Sequence, residues 1–317
     1  MQIRTFLLVI LLLTSAFAKA TTWDEPWAEK IISKADYFVL GKVKSADEKK
    51  GITIKIFKTL GGDKLPDEIK ITNFFLLDLC SVSGGHGPEF HFNNTKECYF
   101  FLKKNDSNEF CIATPSTGFD RLKDGKVVST YRHSYHQALV PADVYEKTMT
   151  AIFNSYHNLP YDKAGIKTFI DKYITQKPAG FADDELETFF AQHVALESIY
   201  HLKLDGYYDQ LLPFLRDNRN FHNRISAARA LRNYNTDVCK QEMLRALKDK
   251  EESNFVKVIC IWSLASFKPA ALKKELQEIS KNASEKENGF GGNIMDPRVC
   301  THFPTVKSAL DELIAML

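Results

Sequence analysis

The chain has 317 residues, of which 44% are hydrophobic, and its 42 basic residues are balanced by 40 acidic ones. This length exceeds what one hydrophobic core normally organises, so two domains are expected. The net charge is therefore close to zero, and the sequence shows no basic stripe of the kind that nucleic-acid-binding proteins carry, so no nucleic-acid partner is expected.

The first segment has the pattern of a secretory signal peptide. Arg4 supplies a positive charge, Phe6 to Leu13 are continuously apolar, and Ala18 to Ala20 form an A-x-A cleavage site. The apolar run is well short of the roughly 20 residues that a membrane-spanning helix needs. We therefore expect cleavage near Ala20, no membrane span in the mature chain, and a secreted, periplasmic or cell-envelope location.

Residues 21–140 have the pattern of a β-domain. "ITIKIFK" places Ile52, Ile54 and Ile56 on one face, and "DEIKITNFF", "ECYFFLKK" and "KVVSTY" show the same alternation. Clusters of Gly, Pro, Asn and Asp separate these runs, and Gly41 within "DYFVLGKVK" indicates a bulge or a close approach of two backbones. The pattern predicts an antiparallel barrel or sandwich of about five or six strands.

Beyond Pro141 the hydrophobic period becomes helical. "ADVYEKTMTAIFNSY" and "KAGIKTFIDKYI" predict linking helices within residues 141–182, and "DDELETFFAQHVALESIYHL" predicts the next helix. No strand is predicted in this half. The expected fold class is α+β: a small antiparallel β-barrel followed by an all-α domain over residues 183–317.

The all-α half repeats itself with a step of 32 residues. The apolar pair in "LLPFLRD" recurs in "MLRALKD" and again in "ELQEIS", and the helices before them keep the same step. The recurring positions are Leu212 and Leu215, Leu244 and Leu247, Leu276 and Ile279, and in the preceding helices Ala195 and Leu196, Ala227 and Ala228, Ile259 and Cys260. Short helix pairs that bury their apolar faces only against neighbours are typical of an α-solenoid.

One of these units, "NRISAARALRNYNTDVCKQEMLRALKD", resembles a HEAT-like repeat. A basic residue, Arg224, precedes a small-residue helix, and Ala227, Ala228, Ala230 and Leu231 occupy the pattern positions. The resemblance extends over roughly residues 183–317, with weaker flanking copies. It implies a HEAT-like solenoid, an architecture that presents surfaces to protein partners.

The β-domain resembles exported domains related to the tissue inhibitors of metalloproteinases and to netrin-like modules. "KADYFVLGKV", Cys80, "ECYFFLKK" and "FCIATPSTG" carry this resemblance over about residues 35–120. It implies an OB-like barrel and a disulfide between Cys80 and Cys111. The inhibitors chelate the protease zinc through an N-terminal cysteine, whereas this chain would start at Thr21 or Lys19, so inhibition by that route is not expected.

The spacing of the cysteines leaves other pairings open. Cys98 and Cys111 flank the turn "KKNDSN" and could face each other across two strands, and Cys239 could pair with Cys300. Cys260 occupies a core position of the repeat, so we expect it to be a buried free thiol that acts as a small hydrophobe.

The sharpest candidate metal site is the loop that holds Cys80, His86 and His91. Thiolate and imidazole suit zinc or copper, and Asp78 or Glu89 could complete the set. A cysteine of an exported chain is usually oxidised, however, and a cystine does not bind metal. The sequence therefore favours an exposed contact loop at residues 81–92, with no metal and no cofactor.

No nucleophile motif accompanies the remaining histidines. His133 and His136 lie at the junction of the two halves, and His193 is expected to make an ordinary contact between helices, so no catalytic residue is predicted. Trp27 is expected to pack against the barrel mouth or the helical half.

The predicted function is therefore an exported, non-enzymatic binding or scaffolding protein with a protein partner. Its contact residues are predicted on the loop and on the second helices of the repeats: His86, His91, Lys240, Arg245, Lys273 and Lys274. The alternatives are a metal-binding protein or an enzyme using Cys80, His86 and His91, or a protease inhibitor that does not use an N-terminal cysteine.

Overall fold

The structure is a computed structural model that describes residues 23–47, 50–72, 96–114, 118–287, 292–293 and 296–317. The first half contains β1 (Trp23–Asp24), α1 (Ala28–Lys34), β2 (Tyr37–Asp47), β3 (Gly51–Gly61), β4 (Glu68–Thr72), β5 (Glu97–Lys104), β6 (Phe110–Ile112), β7 (Phe119–Lys123), β8 (Lys126–Ser129) and β9 (Ala138–Pro141). The second half contains α2 (Ala142–Tyr156), α3 (Lys163–Ile174), α4 (Leu186–His201), α5 (Tyr208–Arg216), α6 (Phe221–Ala230), α7 (Asp237–Lys248), α8 (Asn254–Ala265), α9 (Lys273–Ser280), β10 (Gly292–Asn293), β11 (Asp296–Cys300) and α10 (Val306–Met316). The α+β composition is as predicted.

Five strands close into a barrel in the order β2-β3-β4-β6-β5, because β5 pairs back with β2. The β4–β6 pairing is parallel and the other pairings within the barrel are antiparallel. The predicted barrel is confirmed with five strands, and its strand order fits an OB-fold. The expectation that it is antiparallel throughout was wrong, because β4 and β6, which are not consecutive in the chain, pair in parallel. From β5 the sheet continues through β7 and β8 to β9, which carries it towards the helices.

The strand alternation divides the apolar side chains between two cores. In β2, Val39 and Val43 point into the barrel, whereas Phe38 and Leu40 belong to the larger core shared with the helices. This two-sided burial follows from the period of two in a strand. Gly41 lies at an irregularity of the β2–β3 register, and a Cβ there would lie 3.0 Å from the Lys55 carbonyl oxygen. The predicted close approach at Gly41 is therefore confirmed.

The helices pack in two layers. α4, α6, α8 and α10 contact one another in that order, and α5, α7 and α9 each pack on a helix of that inner layer. The positions of the 32-residue step fall where the prediction put them: the inner-layer pairs are all buried, and the outer-layer leucines and Ile279 are buried or half-buried. Polar residues that accept a hydrogen bond from the first turn begin α6, α7, α8 and α10, which explains why these helices start where they do: Asn220, Thr236, Ser253 and Thr305.

The prediction of an all-α second half was wrong. β10 and β11 lie in the polar insertion before α10, and β11 pairs in parallel with β1 from the start of the described chain. A Gly-rich polar segment shows no hydrophobic alternation, so its strands were not recognisable locally. They form because backbone groups of the distant β1 complete the hydrogen bonding.

The two halves share one continuous core. α1 contacts α2 and β5, and the backbone N–H of Ala28 donates to the carbonyl of Arg132 at 2.7 Å. Trp27 packs edge-on against Trp262 of α8, with ring centroids 5.7 Å apart, as expected for a tryptophan that packs against the helical half. The segment of residues 131–137 lies at this joint, which places its polar side chains inside the molecule.

Candidate functional site

The predicted loop site falls on residues that the structure does not describe. Cys80, His86 and His91, with Asp78 and Glu89, lie outside the described residues. Within the ranges that the structure describes, no group of three or more His, Cys, Asp or Glu side chains is placed to hold a metal ion.

The described cysteines are thiols. Cys98, Cys111, Cys239 and Cys260 are buried and free. In the strand register, Cys111 lies opposite Lys103 and Cys98 lies opposite Arg121. The prediction that Cys98 and Cys111 could face each other across two strands was therefore wrong. Cys111 and Cys239 are free, so the predicted Cys80–Cys111 and Cys239–Cys300 disulfides are not formed in this structure. The side chains of Cys80 and Cys300 lie outside the described residues. Cys260 is the buried thiol that its repeat position predicts.

The predicted basic contact residues lie on the outer layer of helices. Lys240 and Arg245 are on α7, and Lys273 and Lys274 are on α9. Arg245 and Lys240 pair with acids of their own helix, Glu242 at 3.1 Å and Asp237 at 3.2 Å. Further pairs join successive outer helices: Arg216 with Glu242, and Lys248 with Glu275. The outer layer is thus a surface of mixed charge rather than a basic patch.

A buried polar network joins the barrel to the inner helices. At its centre Glu197 of α4 is fully buried and accepts hydrogen bonds from Arg229 Nε at 3.1 Å and from Ser226 Oγ at 2.6 Å. Arg132, fully buried in the joint segment, lies 4.0 Å from the same carboxylate. Arg229 also donates to Glu29 of α1 at 3.1 Å. Two cations and two anions therefore compensate one another inside the molecule.

Arg229 is held from several sides. Its guanidinium lies 4.9 Å from the ring centroid of Trp27 and 4.1 Å from that of Tyr200, which is cation–π geometry. Burial alone would lower the pKa of Arg229, but the carboxylates of Glu197 and Glu29 raise it above its usual value. Burial would raise the pKa of Glu29, and Arg229 reverses this and brings it to about 2. Both groups are therefore charged at neutral pH.

Hydrogen-bond directions fix the proton on His193. The carboxylate of Glu197 can only accept, so the hydroxyl proton of Ser226 points to it. Ser226 Oγ must then accept from His193 Nδ1, which lies 3.2 Å away, so the proton of the neutral ring is on Nδ1. Burial, and then the nearby Arg132, lower the pKa of His193 well below its usual value. His193 Nε2 is consequently an unprotonated acceptor, and it has no hydrogen-bond partner among the described residues.

The same serine, histidine and glutamate do not form a nucleophilic triad. In such a triad the histidine lies between the serine and the acid and takes the serine proton. Here Ser226 lies between His193 and Glu197, and it also accepts from Arg132 Nη1 at 3.2 Å. Its hydroxyl is fully buried and surrounded by protein groups, so it fixes the orientation of its neighbours rather than attacking a substrate.

Other histidines at the joint are also neutral. His133 Nε2 donates to the carbonyl of Glu25 at 2.9 Å, and His201 Nε2 donates to the carbonyl of Tyr131 at 2.7 Å. Burial lowers the pKa of His133 to about 4 and that of His222 to about 3. His222 Nδ1 lies 3.1 Å from Arg132 Nη2 and must accept from it, because guanidinium only donates.

A cleft of about 260 Å³ opens beside this network. The joint segment forms one wall, and α4 and α6 contribute His193 and His222 to the other. We call it the junction cleft, lined by Arg132, Ser134–Ala138, Phe181, Phe189, Phe190, His193 and His222. Phe181 is 48% exposed although its ring packs against Phe189 at 5.3 Å and His222 at 5.9 Å.

The sequence indicated only part of this site. His133, His136 and His193 were singled out, and the structure brings them into the same joint. Arg132, Glu197 and His222 were missed. The available signal was "YRHSYHQ", in which an arginine and two histidines lie in the short segment between β8 and β9, but nothing local identifies their partners.

Among the described residues, no helix combines the length and hydropathy needed to cross a membrane. No family model, no curated protein and no solved structure matches this chain.

Proposed function

We propose that this chain is an exported, non-enzymatic binding protein that holds an OB-like barrel and a HEAT-like solenoid in a fixed relation and presents them to a protein partner. The barrel order and the two-layered helices support this architecture, as does the 32-residue spacing of their buried positions. Architectures of this kind present extended surfaces, although a fold alone does not define a function.

The observation that carries the proposal is the buried network across the joint. Arg132 from the barrel side, Glu197 and Arg229 from the inner helices, and Glu29 from α1 compensate one another. Buried charges of this kind tolerate little displacement, because an uncompensated buried charge is costly. A rigid joint is what a scaffold needs in order to offer one composite surface.

The outer helices are the proposed contact surface. Their apolar sides pack against the inner layer, and Arg245 and Lys274 are exposed on the opposite side. Two ion pairs join successive outer helices and support a fixed spacing of these helices: Arg216 with Glu242, and Lys248 with Glu275. A partner with acidic groups opposite Arg245 and Lys274 on a surface of mixed charge would match them.

The test is affinity capture from envelope extract and medium with purified full chain as bait. Wild type should retain one protein in near-stoichiometric amount, and Arg245→Glu/Lys274→Glu should lose it. Lys70→Glu/Lys126→Glu, with the same change of charge at exposed barrel positions, should retain it. If wild type retains no protein, or if both double variants retain it equally while remaining folded by circular dichroism, the proposal is wrong.

A further inference from the structure

The junction cleft is not used by the proposed function, yet three of the residues that line it carry buried polar atoms of an unusual kind. Arg132 Nε, Ser134 Oγ and His193 Nε2 are buried without a hydrogen-bond partner in the described part of the chain. The three residues are 0%, 4% and 3% exposed. Buried polar atoms are nearly always paired in native proteins, and the exceptions call for a specific explanation. Three such atoms in residues that line one cleft make it the place to look for a bound polar group.

The directions of the unmade hydrogen bonds restrict the chemistry of that ligand. Arg132 Nε carries a hydrogen and can only donate. His193 Nε2 can only accept, because Ser226 holds the ring proton on Nδ1. A carboxylate offers only acceptors, so it cannot satisfy the lone pair of His193. An ammonium group offers only donors, so it cannot satisfy the guanidinium of Arg132. A carboxamide offers a carbonyl oxygen to Arg132 and an N–H to His193.

The remaining walls suit an apolar carrier for this group. Phe181, Phe189 and Phe190 contribute aromatic rings to the cleft, and Phe181 is exposed at its edge. Binding sites for small ligands combine such apolar walls with a few placed polar groups. The volume of about 260 Å³ lies just below the usual range for drug-sized ligands, which is appropriate for one ring or one amino-acid side chain.

We propose that the junction cleft binds a primary carboxamide carried on an aromatic or apolar group, with its oxygen on Arg132 and its N–H on His193. The carboxamide can come from a small aromatic amide or from a glutamine side chain of a peptide. The two sources share the donor–acceptor pair and differ in the carrier.

The experiment measures binding to the full chain by calorimetry, with benzamide, benzoate and N-acetylglutamine methylamide as probes. At least one of the two amides should bind with a Kd of about 1 mM or below, and benzoate should bind at least about tenfold more weakly than benzamide. Binding of benzamide alone identifies a small aromatic amide as the source, and binding of the glutamine probe alone identifies a peptide side chain, with benzoate not binding in that case. If neither amide binds, or if benzoate binds as tightly as the amides, the proposal is overturned.

Variants separate the cleft from other sites. His193→Asn keeps a donor near Ser226 but removes the Nε2 acceptor, so it should weaken binding of the amide probe at least about tenfold. His157→Asn is the matched control, because His157 bonds to the Ile32 carbonyl away from the cleft, and it should bind as wild type does. If His193→Asn does not fold, Phe181→Ala at the exposed edge replaces it, with a severalfold loss expected. Unchanged binding in the folded cleft variant overturns the proposal.

Discussion

Replacing Glu197 by glutamine tests whether the buried network holds the two halves together. Glu197 is fully buried, bonds to Arg229 at 3.1 Å and lies 4.0 Å from Arg132. After the change, Arg229 keeps the carboxylate of Glu29. Arg132 keeps only neutral partners, the carbonyl and Nδ1 of His222 and Ser226 Oγ. Arg132 is therefore the charge left uncompensated.

Removing one partner of a buried ion pair costs about 3–5 kcal/mol, a large part of the roughly 5–15 kcal/mol that stabilises a typical domain. We expect Glu197→Gln to lower the free energy of unfolding by about that amount. The measurement is urea denaturation, followed by tryptophan fluorescence, since Trp27 and Trp262 contact each other at the joint, and by circular dichroism. Both signals should shift together if the joint and the helices unfold cooperatively.

Two controls make the result specific. Glu242→Gln removes an acid that pairs with the half-exposed Arg216 and Arg245, and it should cost less than about 1 kcal/mol. Arg132→Met in the Glu197→Gln background removes the uncompensated charge, so it should recover part of the lost free energy of unfolding. The effects of the two substitutions should therefore not add, and the difference is the coupling energy between the two sites. A Glu197→Gln protein within about 1 kcal/mol of wild type, or additive effects in the double variant, would refute the reasoning.

Two further predictions concern protonation and the cysteines. Burial lowers the pKa of His133 to about 4 and that of His222 to about 3, against about 6.5 in an unfolded chain. The unfolded state therefore takes up protons first as pH falls, and each imidazole should cost about 2 kcal/mol of stability between pH 7 and pH 5. Burial raises the pKa of Asp120 to about 6. The folded protein therefore binds this proton first as pH falls, and Asp120 adds about 1 kcal/mol of stability over the same pH range. Burial also lowers the pKa values of His193, His136 and His201, which adds to the loss. Urea titrations at the two pH values should therefore show a net loss of at least about 3 kcal/mol, and a flat profile would contradict the assignment of neutral histidines. For the cysteines, Cys111 and Cys239 should alkylate in urea without reductant and only slowly in the native protein, where burial raises their pKa. Labelling that requires a reductant would instead support the disulfides that the sequence predicted.

Short-range patterns explain why much of the fold was predictable. The segments expected for α2 and α3 are the helices observed, because their amphipathic period and flanking turns are local properties. The alternation of Val39 and Val43 against Phe38 and Leu40 is likewise local, although only the closed barrel shows which face lies inside it. The 32-residue step was visible because each unit repeats the same burial requirement.

Patterns along the chain were enough to establish the strand and helix periods and the 32-residue repeat, because these depend on which residue types recur at a fixed spacing. The tertiary structure alone decided the pairing of Arg229 with Glu29, which are 200 positions apart, the proton position on His193, and the strands β10 and β11. Among 42 basic and 40 acidic residues, no local pattern selects the few that become buried together. Burial makes those few charges depend on one another, and burial is a property of the folded chain.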